Sequence, residues 1–187
     1  MSIYALIDHW VKSERKLFEV APALGDPIVR RMIVSEPIQK LIEGPWETPE
    51  WAHRCGLLRG DIDWFVEGSR LTVAKYPYRG KTSHMLRLDP EVDEIWELRF
   101  RDPEQIRIFG RFADKDVFIA LVWEFRGDLG MPRKVIEKTR PLTPEDFPDV
   151  WRDASIQCKT EWVNFFRPYE PKRGADLHDY LSNAVLV

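Results

Sequence analysis

The chain has 187 residues, 44% hydrophobic and 32% charged, with a formal charge of -3; this is enough apolar material for one sizeable core and too much for a disordered polymer. That slightly acidic total offers no whole-molecule attraction to nucleic acid, so a polyanion would have to be held by a local patch. Cys55 and Cys158 stand too far apart for a CxxC site, no run approaches the ~20 apolar residues of a membrane span, and the start MSIYALIDHW lacks the basic end of a secretory signal, so a cytoplasmic protein with reduced thiols and no membrane association is expected.

Residues 1–60 read as an N-terminal helical extension packed on a core formed by residues 61–187. Ile3, Leu6, Ile7, Trp10 and Val11 recur at helical spacing, with Leu17 and Phe18 one step further, which predicts an amphipathic helix as far as Pro22. Ile28, Met32 and Ile33, then Ile38, Leu41 and Ile42, predict two short helices separated by Pro37 and closed at Gly44-Pro45. Thr48 as N-cap and Pro49 in the first helical position open a third helix, which Gly56 or Gly60 ends. Residues 63–67 and 70–75 predict a hairpin turning at Gly68-Ser69, followed by a basic, aromatic loop from Tyr76 to His84.

Residues 94–126, EIWELRFRDPEQIRIFGRFADKDVFIALVWEFR, organise the rest. They read as three strands joined by turns at Asp102-Pro103 and Asp114-Lys115-Asp116. Because neighbouring side chains on a strand take opposite faces, Trp96, Leu98 and Phe100 oppose Glu97, Arg99 and Arg101, and Ile106, Ile108 and Phe112 oppose Arg107 and Arg111. The third strand is apolar on both faces until Glu124 and Arg126, as suits a central strand covered on two sides. Downstream, residues 134–139 read as a short helix, Thr143 caps another with Pro144 in its first position, and residues 150–166 make the clearest helix after the sheet. Residues 176–184 read as a last helical piece, and the apolar end Val185-Leu186-Val187 is expected to dock.

The order Ile-Trp-Glu-Leu-Arg-Phe, Ile-Arg-Ile-Phe, acidic turn, and an apolar strand ending Phe-Arg resembles the core of RelE-like toxins, particularly the HigB branch, over residues 85–140. The likeness rests on Trp96, Glu97, Leu98, Arg99, Arg107, Phe109 and Phe125, and departs after Phe125, where a basic pair is expected and Arg126 is followed by Gly127 and Asp128. It implies an α+β fold with an antiparallel sheet of four to five strands flanked by N-terminal and C-terminal helices. It also implies a ribosome-dependent mRNA endonuclease of a toxin-antitoxin or phage system, with an antitoxin partner.

Guanidinium forks suit phosphate, and several on one open sheet face could hold a nucleic-acid backbone and stabilise a phosphorane-like transition state. By resemblance Arg99, Arg107 and Arg126 would be catalytic and Arg79, Lys81, Arg101 and Arg111 would bind RNA phosphates. His84 in the basic loop is the candidate general base, since histidine titrates near neutral pH. The same alternation admits a plainer outcome, in which Glu97 and Glu124 pair with the arginines to finish a solvated sheet surface. A noncatalytic relative that binds another protein, and a small-molecule enzyme with a pocket between helices and sheet, are the other readings. No histidine spacing points to a metal, no motif points to a cofactor, and none is expected.

Overall fold

The alternation between residues 96 and 125 does produce strands, and they form the middle of a sheet much wider than that pattern foretells. The computed structural model describes residues 2–75, 83–101, 105–131, 136–143 and 149–187. Eight strands run in the order β1 (Leu17–Glu19), β2 (Arg31–Ser35), β7 (Val117–Phe125), β6 (Ile106–Asp114), β5 (Trp96–Arg99), β4 (Met85–Arg87), β3 (Leu71–Ala74) and β8 (Ala184–Leu186). Strands β4 to β7 pair antiparallel, whereas β2 lies parallel to β7 and β3 lies parallel to both β4 and β8. This mixed eight-stranded sheet overturns the expected antiparallel sheet of four to five strands.

The α-helices bounded among the described residues are α1 (Ile3–Asp8), extended by a π turn at His9–Ser13, then α2 (Glu36–Glu43), α3 (Pro49–Val66), the single turn α4 (Arg126–Leu129) and α5 (Val150–Phe166). Strand alternation sorts the core into two layers. Met32, Val34, Phe118 and Ala120 join α2 and α3 on one face, while Ile33, Ile119 and Leu121 join α1 and α5 on the other. Each fully buried side chain the size of Trp96, Phe118 or Phe166 contributes about 1.5–3 kcal/mol from lost apolar exposure.

Local departures from the sequence reading have local causes. Residues 31–35 form β2 and not a helix, because a short continuous apolar run fits either state and pairing with β7 decides it. Leu17 and Phe18 likewise leave the first helix for β1. Pro37 does not interrupt a helix; it sits in the first turn of α2, where its missing N–H costs nothing. Thr48 does cap α3, accepting from the Trp51 N–H at 3.2 Å. That helix runs past Gly56 and Gly60 to Val66, so residues 63–67 are not a strand: Cys55, Leu58, Ile62, Phe65 and Val66 keep one helical face buried. The expected helix at 176–184 is a single 3-10 turn, Leu177–Asp179, before β8. Lys134 and Pro144 lie outside the described residues.

At Gly110 the β6–β7 register shifts, and an added Cβ would fall 2.2 Å from the Ile119 carbonyl oxygen. Only glycine allows that approach. Among the described residues no helix is long and apolar enough to cross a membrane.

Candidate functional site

Strand register gathers the arginines at one end of β4 to β7. Met85 pairs with Leu98, and the Arg99 N–H donates to the His84 carbonyl at 2.8 Å. Arg99 pairs with Arg107, Arg107 pairs with Glu124, and the Arg126 N–H donates to the Gln105 carbonyl at 2.8 Å. His84, Arg99 and Arg107 therefore stand in one row across adjacent strands with Glu124 at its end, and Arg126, the fourth position the sequence singles out as catalytic, lies two residues beyond Glu124, opposite Gln105. Arg101 lies two residues past the end of β5, at the same end. Arg79 and Lys81 lie outside the described residues.

The arginines do not make the open face that alternation predicts, because Arg107 and Arg111 are buried, Arg111 against α5. Arg111 is buried with its guanidinium 5.4 Å from the Trp162 ring of α5 and its Nη2 donating to the Asp93 carbonyl, so it holds the helix on the sheet. Arg107 is 3% exposed; its Nη1 donates to the carbonyls of Phe100 at 2.8 Å and Ile106 at 3.0 Å, and its Nη2 to Gln105 Oε1 at 3.1 Å. Neither presents its guanidinium to a large ligand. Arg99 is half-buried with one hydrogen bond, Nη1 to Ser83 Oγ at 3.1 Å. Arg126 donates to the Gly130 carbonyl at 2.7 Å and lies 5.7 Å from the Trp151 ring. Arg101 is exposed and, among the described residues, has no hydrogen bond or ion pair.

Beneath these guanidiniums lies Glu97, 1% exposed. Its Oε1 is 2.8 Å from Arg107 Nε and 3.6 Å from Arg99 Nε. The short approach to Arg107 lacks hydrogen-bond alignment: among the described residues both Glu97 oxygens and Arg107 Nε have no hydrogen-bond partner. Burial pushes the Glu97 carboxyl up to about 7 against the pull of Arg99, Arg107 and Arg126, and burial lowers Arg107 to about 10. Both members of the pair move toward their neutral forms, so removal from water outweighs their mutual attraction. Glu124 at the edge of the row is also raised, by burial and then by Asp128.

Two grooves open at this end. One, of about 550 Å³, is lined by Gln105, Phe125, Arg126, Gly127 and Asp128. The other, of about 500 Å³, lies between α3 and the ends of β4 and β5, with Trp64, His84, Arg99 and Arg101 among its walls. His84 Nδ1 accepts the Thr72 N–H at 3.1 Å and lies 2.8 Å from Thr72 Oγ1. Burial and then the nearby Arg101 lower its pKa, which keeps the ring neutral at pH 7. With Nδ1 accepting, the neutral ring carries its proton on Nε2 and can donate from there but not accept.

The sequence named His84 and the arginines but missed three partners. Ser83 and Gln105 are ordinary polar residues with no local signal. Trp64 was assigned to a strand; the helical spacing of Ile62, Phe65 and Val66 would have placed it beside the buried face of α3. Cys55 and Cys158 are buried, and burial raises both thiols, Cys158 to about 12, which suits neither a nucleophile nor a ligand. No protein-family model, curated protein or solved structure matches the chain.

Proposed function

We propose that the protein binds RNA, holding the phosphate backbone at the arginine-lined end of its sheet without cutting it. One observation carries the reading: among the described residues, Arg99, Arg101 and Arg126 gather at that end with most of their N–H donors uncommitted, while the buried arginines around them are spent on the protein itself. Guanidiniums with free forks are the side chains best suited to phosphate. The choice of RNA over another polyanion leans on the resemblance of residues 94–126 to the RelE-like toxins.

Cutting by attack of a 2'-hydroxyl requires a group that accepts its proton. His84 has its accepting nitrogen committed to Thr72, and Glu97 is sealed below the arginines. A binder that leaves the strand intact is therefore the better fit.

Fluorescence anisotropy of a short unstructured RNA against salt concentration tests this. Binding is expected to weaken with salt at a log–log slope of about -2, as three phosphate contacts on a single strand require. Replacing Arg99, Arg101 and Arg126 together by alanine should lower affinity at least about tenfold and remove most of that slope. The RNA should stay full length on a denaturing gel. No salt-dependent binding, or binding indifferent to the triple substitution, overturns the reading; cleavage of the RNA overturns its noncatalytic part.

A further inference from the structure

We infer that the groove between α3 and the ends of β4 and β5 is a subsite for one nucleotide, its base against the Trp64 indole and its phosphate between Arg99 and Arg101. This deepens the RNA-binding reading and rests on it. The volume, about 500 Å³, lies in the range of small-ligand sites and accommodates a single nucleotide. The walls are chemically divided. On the strand side stand Arg99, Arg101 and the His84 imidazole, whose Nε2–H is left to donate once Nδ1 has accepted from Thr72. On the helix side stand Gly60, Asp61, Trp64 and Phe65.

That division orients the ligand. A phosphate is drawn to the two guanidiniums on the strand side, and the aromatic surface lies on the helix side, so the phosphate points to the strands and the base to the helix. There Trp64 is half-buried, with the His84 ring 4.8 Å from its own at an interplanar angle of 51°. An indole anchored beside an imidazole is a preset platform, and every base has a face to lay on it. Room for the base comes from Gly60: a Cβ built there meets nothing within 4 Å. The aromatic side chain of the other groove is committed differently, since Phe125 packs against Trp51 at 5.8 Å and Trp123 at 5.2 Å.

The test compares adenosine 5'-monophosphate with ribose 5-phosphate, which keeps the phosphate and lacks the base, and with a polyphosphate chain. The wild-type protein should bind the nucleotide about tenfold more tightly than the sugar phosphate, the increment that base stacking supplies. Trp64→Ala should abolish that preference. Gly60→Leu should abolish it too by filling the groove, and at an uncrowded helix position leucine favours folding over glycine, so this variant survives if Trp64→Ala does not fold. Both variants should bind polyphosphate as the wild type does. Equal affinity for nucleotide and sugar phosphate, or a preference that persists in Gly60→Leu, overturns the subsite while polyphosphate binding upholds the backbone reading. Failure of the wild type to bind RNA, polyphosphate and nucleotide alike overturns both.

Discussion

Arg30 and Arg101 carry the same side chain in opposite circumstances. Arg30 is fully buried and spends its guanidinium on four main-chain carbonyls: Nη1 donates to Phe65 at 3.0 Å and Ser69 at 2.9 Å, and Nη2 to Gly68 at 3.4 Å and Asn183 at 3.0 Å. Asp116 stands 3.6 Å away and the Phe65 ring 5.4 Å away. One side chain thus ties the end of α3, the β6–β7 turn and the approach to β8. Arg101 lies two residues past the end of β5, exposed, and among the described residues it has no hydrogen bond or ion pair. The contrast shows that an arginine's role is read from where its N–H groups point, since composition and strand alternation treat the two alike.

The sharpest way to break the comparison is Arg30→Met. It removes a donor from each of four main-chain carbonyls, of which Ser69 keeps no other among the described residues, and the counter-charge beside Asp116, and a loss of about 3 kcal/mol in urea unfolding is expected. RNA affinity per folded molecule should not change. An unfolding midpoint equal to wild type would place Arg30 with the dispensable cations.

Glu97 with Arg107 stands between the extremes, buried like Arg30 but poorly hydrogen-bonded. The folded carboxyl titrates at about 7, above its ordinary value of 4.5, so between those values the folded state holds a proton that the unfolded chain has released. This contribution to stability is complete below the unfolded value and is lost as pH rises through about 7. Urea unfolding across that window should show a fall on the order of a few kcal/mol in the wild type. Glu97→Gln should flatten it, and a flat wild-type profile would show that the arginines keep Glu97 ionised throughout.

Arg101→Ala gives the smallest effect on the fold and sharpens the other side of the contrast. The unfolding midpoint should stay in place while RNA affinity drops roughly threefold and the salt slope shrinks by about one phosphate. A destabilised protein with unaltered binding would reverse the assignment.

What the sequence revealed follows from range. The β5–β7 ribbon was legible because β5 and β6 alternate over whole strands and β7 is a continuous apolar run bounded by an acidic turn, and α5 because its apolar period runs for several turns. Thr48-Pro49 fixed the start of α3 through local chemistry alone. The flanking strands were hidden because three to five residues, as in β1, β2, β4 and β8, hold too few repeats to separate strand from helix. The candidate site was half legible for a related reason. Alternation put Arg99, Arg107 and Arg111 on one face, but only tertiary packing decided that Arg111 is covered by α5 and Arg107 turned onto the carbonyls of Phe100 and Ile106 while Arg99 still reaches a groove.

The parallel seam between β2 and β7 has a consequence for how the chain reaches this state. Arg31 lies beside Val117 and Val34 beside Ala120, so two neighbouring strands, one of them next to the edge of the sheet, come from distant stretches of the polypeptide. Bringing them together loses loop entropy before any hydrogen bond between them forms, and architectures rich in such pairings fold in milliseconds to seconds instead of microseconds. The β5–β7 ribbon is built from neighbours in sequence and closes short loops, so it is expected to assemble first and the amino-terminal strands to join its flank in the slower step.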